Sequence, residues 1–412
     1  MSLGFSSPVF LRLLYLLKFF CLLPVVISNK TENDRQALLC FKSQITTSAE
    51  DLASWSNASM ELCSWHGVTC SKQSPRRVVA LDLSSEGITG PISPCIANLT
   101  DIRSLQLSNN SFHGSIPSEL GFLSQLSILN VSMNSLEGNI PSELSSCSRI
   151  QFINLSNNKL QGRIPSAFGD LTELRTLILT SNRLSGDIPQ SLGSNLSLTY
   201  VNLGRNALTG GIPESLASST SLQVLMLMSN ALSGELPTGL FNSSSLIYLN
   251  VQQNSFVGSI PPVTAISPKM YYLDLRENHL IGTIPSSLGN LSSLIYLCLT
   301  ENSLVGSIPD TLGHFPILET LEVHLNNLSG PIPPSIFNVS SLIHLGMANN
   351  SLIGRLPSNI GYMLPNIQEL ILLNNKFSGS IPVSLLNASR LQKLSLANNS
   401  LTGPIPFFGS LQ

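Results

Sequence analysis

Along most of the chain, apolar and polar positions follow one fixed order. Leu105 and Leu107 alternate with polar residues, Asn110 follows, and then come Phe112, Gly114 and Ile116-Pro117. The unit L-x-L-x-x-N-x-L-x-G-x-I-P recurs every 24 residues at Asn110, Asn134, Asn158, Asn182, Asn206, Asn230, Asn254, Asn278, Asn302, Asn326 and Asn350. Asn375 follows after 25 residues and Asn399 after 24 more. Upstream, Leu81 and Leu83 through Gly90 fit as well, with Glu86 in the asparagine slot, which makes 14 repeats. Self-similarity at a fixed period of this size marks a stack of supersecondary units, none of which buries its apolar face alone.

Each position in the unit has a physical role. The leucine alternation at period two predicts a short strand with one buried face. At this spacing successive strands pair in parallel across a long return. The asparagine amide both donates and accepts, so it suits the backbone groups stranded where the strand ends inside the stack. Glycine permits positive φ, proline fixes φ and removes a donor, and stretches such as Ser118–Leu123 return along the outer face as a short helical turn. Parallel strands about 4.8 Å apart, facing a bulkier outer layer, bend the stack and give a concave sheet on the order of 60 Å long. The expected fold is an α/β leucine-rich-repeat solenoid. It is a curved right-handed superhelix with a parallel β-sheet on the concave face and short helical turns on the convex face, spanning residues 78–412.

Composition agrees with a stack. A single globular core of 412 residues would split into domains, whereas a repeat core grows along one axis. Only 11% of residues are charged and the formal net charge is −2, which gives no general attraction to nucleic acid. Residues 1–28 read as a signal peptide. Arg12 and Lys18 precede a short apolar run to Ile27, too short to span a bilayer, with small residues before a cleavage point after Ser28. Residues 29–77 read as a cap over the first apolar layer, with Leu38, Leu39, Phe41 and Ile45 on one helix face. Cys63 and Cys70 in a secreted chain suit a disulfide better than a metal site, because no C-x-x-C accompanies His66. Cys40 and Cys95 are positioned to lock cap to stack, and Cys147 and Cys298 remain as free thiols. No metal site or cofactor is expected.

The segments Asp34-Arg-Gln-Ala-Leu-Leu39, Leu52-Ala-Ser-Trp55 and Cys63-Ser-Trp65-His-Gly67-Val-Thr-Cys70 resemble the N-terminal cap of plant leucine-rich-repeat receptors. The 24-residue unit with Gly-x-Ile-Pro is similar to the plant-specific repeat. The likeness is to ectodomains of receptor-like kinases that sense microbial molecules. It implies a plasma-membrane receptor with a peptide or protein ligand on the concave face and a co-receptor kinase as partner. The family pattern adds further repeats, a C-terminal cap, a membrane span and a kinase. The sequence given stops at Gln412 without them, so the expectation is either a truncated receptor or a soluble receptor-like protein in the extracellular space, with an uncapped last layer of Leu394, Leu396, Leu401 and Ile405 that Phe407 and Phe408 cover in part.

The strand positions six, four, two and one before each ladder asparagine should face solvent. Tyr248, Tyr272 and Tyr296 fall in one slot of three consecutive repeats and should form a cross-strand ladder. Asp274, Arg276, Glu277, Glu301, Glu322 and His324 lie beside them, and Ile178, Met226 and Met228 are apolar upstream. This group is the candidate ligand site, since exposed aromatics on a rigid sheet suit recognition. Glycosylation sequons occur at Asn57, Asn98, Asn109, Asn130, Asn154, Asn195, Asn242, Asn290, Asn327, Asn338, Asn349, Asn387 and Asn398, besides Asn29 at the cleavage point. Those at Asn98, Asn242, Asn290, Asn338 and Asn387 map to the outer return, and the concave strands of repeats 5 to 11 carry none. A second reading is a secreted inhibitor of a cell-wall-degrading enzyme, similar to the polygalacturonase inhibitors. Catalysis is not expected, because carboxylates such as Asp274 and Glu301 sit on an open sheet that does not exclude water.

Overall fold

The computed structural model describes residues 30–46, 52–56, 61–265 and 269–407. The expected signal peptide and Asn57 lie outside the described residues. The inner sheet has 15 strands. Its first, Val68–Cys70, belongs to the cap and runs antiparallel to Val78–Asp82. The 14 repeat strands then pair in parallel, each stepping by one repeat, so that equivalent residues stand side by side: Tyr248 opposite Tyr272, and Tyr272 opposite Tyr296. Behind the sheet, the two strand leucines, the leucine or phenylalanine after the asparagine and the isoleucine before proline form one continuous buried core.

The glycine-bearing flank holds more structure than the sequence suggested. Short strands such as Ser111–Gly114 and Ser135–Asn139 pair in parallel into further sheets of 6, 2 and 6 strands. Their mixed polar and small residues lack the leucine alternation that marks the inner strands. The outer returns are mostly single 3₁₀ turns, such as Ser118–Phe122 and Ser286–Asn290. The return of repeat 8 breaks the rule. Two prolines, Pro261 and Pro262, remove donors there, and Pro261–Ala265 has no helical turn. Asn242 braces this segment: its Oδ1 accepts from the Thr264 and Ala265 N–H groups at 2.7 and 2.9 Å.

The ladder asparagines do what the pattern implied. In repeat 6, Asn206 Oδ1 accepts the Leu184 N–H of the preceding repeat at 3.0 Å, and Nδ2 donates to Leu179 O, Leu203 O and Gly204 O at 3.0–3.1 Å. Just before each of these asparagines the chain enters the left-handed region, at non-glycine residues such as Glu277, Glu301 and Leu325 with φ of 51–57°.

The cap rests on helix α1 (Lys30–Ser43), whose Leu38 and Phe41 are buried. Trp55 stacks on Trp65 at 5.7 Å, and Phe41 meets Phe112 of repeat 2 at 6.0 Å. Asp34 is fully buried, and both its oxygens are held by Arg77 at 2.8 and 2.9 Å. Cys63–Cys70 and Cys40–Cys95 are bridged, the second tying α1 to the return of repeat 1. Cys147 and Cys298 are free and buried. His66 bonds Glu86 at 2.9 Å, in the one repeat whose asparagine slot holds another residue. At the far end Leu394, Leu396 and Leu401 are half-buried. Phe407 does not fold over them as expected: it is 90% exposed, and Ile405 is exposed too. Phe408 lies outside the described residues.

Candidate functional site

Parallel register turns each strand position into a line running across the concave face. The line six before the asparagine carries Tyr248, Tyr272 and Tyr296. Their rings stack nearly parallel, with centroids 4.1 and 4.4 Å apart. Tyr272 is stacked on both faces, and all three rings of the ladder are half-buried. The Tyr272 ring leans along its own strand. The Tyr272 hydroxyl donates to Asp274 Oδ2 at 3.4 Å, and loss of water around Tyr272 raises its pKa, with Asp274 adding to the rise.

Beneath that lean lies a buried polar line: Asn250, Asp274 and Cys298. This corrects the expectation that Asp274 faces solvent, for it is 0% exposed. Its Oδ1 accepts the Arg276 N–H at 3.2 Å and its Oδ2 faces Arg276 Nε at 3.4 Å. The same Nε donates to Gln252 Oε1 at 2.6 Å. Asp274 and Arg276 therefore act as internal supports of the tyrosine ladder. Burial pushes the Asp274 carboxyl up to about 6, against the pull of Arg276. Burial likewise pushes the Cys298 thiol up to about 12, so it is protonated at neutral pH and lies 3.6 Å from Glu322 Oε2.

Of the charges here, Glu301 is exposed, and Arg276, Glu277 and Glu322 are half-buried. With Asp274 and Arg276 cancelling, the three glutamates leave the patch negative. His324 adds no positive charge: burial lowers its pKa, and its Nδ1 accepts the Ala348 N–H at 2.8 Å. Two aromatics extend the patch beyond the expected set. Tyr271 is 39% exposed and packs edge-on against Tyr248 at 6.1 Å. Tyr200, half-buried, occupies the ladder slot two repeats upstream, a signal present in the spacing.

The sequons divide by accessibility. Asn98, Asn109, Asn290, Asn327, Asn338, Asn387 and Asn398 are exposed, and Asn130, Asn154, Asn242 and Asn349 are half-buried. Asn195 is a correction: it is 3% exposed and its Nδ2 donates to Leu171 O at 2.6 Å, so its amide is not presented for attachment. Among the described residues, no cluster of His, Cys, Asp and Glu could hold a metal ion, and no helix is long and apolar enough to cross a membrane.

Comparison with known proteins places this geometry. Residues 31–71 match the leucine rich repeat N-terminal domain family, and residues 172–232 a leucine rich repeat family. A further leucine rich repeat family matches at 101–123, 125–147, 149–171, 269–291 and 390–411. The LRR receptor-like serine/threonine-protein kinase EFR of Arabidopsis thaliana is 45% identical over 107 residues, 26% of this chain and 10% of that kinase. Over its matched part, then, the chain corresponds to a small share of the curated relative's length. The ectodomain of the Arabidopsis receptor kinase HAESA, solved with an N-terminally extended IDA peptide hormone ligand, superposes with a TM-score of 0.77 at 34% identity. That match covers 92% of this chain and 67% of the ectodomain. A plant ice-binding protein superposes with a TM-score of 0.62 at 30% identity over 69% of this chain and 92% of its own.

Proposed function

The chain belongs to the plant leucine-rich-repeat receptor family, and from that premise we propose that it is the extracellular, non-catalytic module that recognises a peptide or protein ligand for a receptor in pathogen sensing or signalling. Since the same fold also serves an ice-binding protein, fold alone does not select this function. The observation that carries it is the stacked ladder of Tyr248, Tyr272 and Tyr296, braced from below by Asp274 and Arg276, on a sequon-free stretch of the concave face. A rigid aromatic row needs little ordering on binding. The carboxylates of Glu277, Glu301 and Glu322 select a basic or amphipathic partner and speed its encounter, an effect that added salt weakens. In the full receptor a co-receptor kinase would join the ligand-bound ectodomain, and the chain would travel the secretory pathway to the cell exterior.

The test is capture of a ligand from plant extracellular fluid, followed by alanine substitution at Tyr272, Tyr296, Glu301 and Glu322. Each central tyrosine should cost roughly 1–2 kcal/mol of binding, and the glutamates should slow association more than they speed release. Unchanged affinity in all four variants, with the fold intact by circular dichroism, moves the site off this face.

A further inference from the structure

One row of backbone groups on the concave face is left without an acceptor by the construction of the ladder. In a parallel sheet each strand donates back to its predecessor at every second residue. Here the N–H six before an asparagine does so, as Tyr248 N donates to Gln223 O at 3.1 Å. Continued along the strand, the pattern would join the N–H two before the asparagine to the carbonyl three before the preceding asparagine. The ladder asparagine takes that carbonyl instead: Asn182 Nδ2 holds Leu155 O at 3.0 Å, and Asn230 Nδ2 holds Leu203 O at 3.1 Å. The displaced N–H must find another partner.

In several repeats the side chain four before the asparagine supplies one. Asn130 accepts from Ser132, Asn154 from Ser156, Asn202 from Gly204, Asn250 from Gln252 and Asp274 from Arg276, at 3.0–3.2 Å. In repeat 12 that position is Gly346, and His324 reaches across to accept the Ala348 N–H. In repeats 5 and 7 the position holds Ile178 and Met226, which cannot accept. The N–H groups of Thr180 and Met228 have no protein acceptor among the described residues. The N–H groups of Ser108, His324, Leu373 and Ala397 are in the same condition, and what sets Thr180 and Met228 apart is that both repeats of the pair, two strands apart, carry an apolar side chain four before the asparagine. Around Thr180 and Met228 the surface is apolar and half-buried: Ile178, Tyr200, Val224 and Met226, with Met228 filling the notch left by Gly204.

We propose that the concave strands of repeats 5 to 7 bind a peptide segment in the polyproline II conformation through the free N–H groups of Thr180 and Met228. The two donors lie two strands apart, about 9.6 Å at the usual strand spacing. A polyproline II chain repeats every three residues at about 3.1 Å each and makes no internal hydrogen bonds. It therefore presents carbonyls on one side about 9.3 Å apart, all needing donors, whereas a β-extended chain turns carbonyls three apart to opposite sides. Apolar side chains, proline included, would seat on Ile178, Val224 and Met226. This inference rests on the concave-face reading above and adds a ligand chemistry and two anchoring points to it.

The experiment selects binders to the full chain from a phage-displayed library of random linear dodecapeptides. Ile178→Asn and Met226→Asn each install the acceptor that neighbouring repeats already carry. They should leave the melting temperature unchanged or raised while weakening the selected peptides at least tenfold. Ile178→Val and Met226→Leu leave the donors free and should keep binding within threefold. From the ligand side, ester-for-amide replacement along a selected peptide should weaken binding at two carbonyls three residues apart, a result that does not depend on any protein variant folding. Peptides that need Tyr272 but ignore both asparagine variants overturn this inference and leave the concave-face reading standing. Peptides indifferent to every concave substitution, or a library that enriches nothing, overturn both.

Discussion

Two asparagines on one strand of repeat 6 show how much work a single amide does here. Asn206 accepts the Leu184 N–H of the repeat before it and donates to three carbonyls that also accept from Asn182, Asn230 and the Ser181 N–H. Asn206→Leu should cost ~1–3 kcal/mol, the price of stranding the buried Leu184 N–H. Asn202 is 9% exposed and accepts one N–H, that of Gly204, at 3.1 Å. Its replacement by alanine should cost ~0.5–1.5 kcal/mol, although alternation along the strand puts it on the face expected to meet solvent. Thermal melts of the two variants should keep that order, and equal losses would break it. The ladder role was legible because asparagine returns to the slot at a fixed interval. The other role was not, because Asn202 bonds locally and its slot is filled elsewhere by Ile178, Met226, Gly346 or Cys298 according to what each repeat buries or exposes.

At the level of the strands, the tyrosine ladder was legible from spacing, and its underside was not. Alternation assigns Asp274 to the concave face, which is where it sits. Only ring stacking, which tips Tyr272 over its own strand, converts that face position into a buried one. The consequence is a pH dependence with a definite sign. An ordinary aspartate titrates near 3.9, whereas burial holds Asp274 at about 6 in the folded chain. Below about pH 4 the carboxyl is protonated in both states, and its contribution to stability is fully present. As pH rises, the unfolded chain releases its proton first. Stability from this group therefore declines through the folded value of about 6, by on the order of 3 kcal/mol. Asp274→Asn has no such titration. The stability of the wild type relative to this variant should fall between pH 4 and 7 and level off above, as read from denaturant melts. His324, whose pKa is lowered by burial, contributes with the opposite sign but is common to both proteins and drops out of the difference. A difference that rises with pH would mean the ion pair with Arg276 outweighs burial.

Across the whole molecule, contacts among the described residues run from each repeat to its neighbours, so stability should be local in a way a globular core forbids. The inner sheet, the flanking sheets and the outer turns all step one repeat at a time, and the cap meets only the first repeats through Arg77, Phe112 and Cys95. Arg77 is the pressure point. Besides gripping Asp34, it bonds Thr100 at 3.0 Å and Asp101 at 2.9 Å, joining α1 to the first return. Asp34 also accepts the Val78 N–H at 2.9 Å, so its charge is anchored at the start of the first repeat strand. Arg77→Met keeps the apolar stem and leaves a carboxylate buried without its cation, which costs ~3–5 kcal/mol when a buried pair is broken from one side. The Cys40–Cys95 bridge keeps the opened cap tethered, so the damage should show as local opening rather than dissociation. Hydrogen exchange should then report a gradient. Amides of Val78–Asp82 and Ser104–Gln106 should lose most of their protection, those of Phe152–Asn154 little, and those of Tyr272–Asp274 none. Equal loss along every strand would mean that the stack unfolds as one cooperative unit, against the nearest-neighbour architecture, and the tyrosine ladder would then owe its rigidity to the cap rather than to the repeats on either side of it.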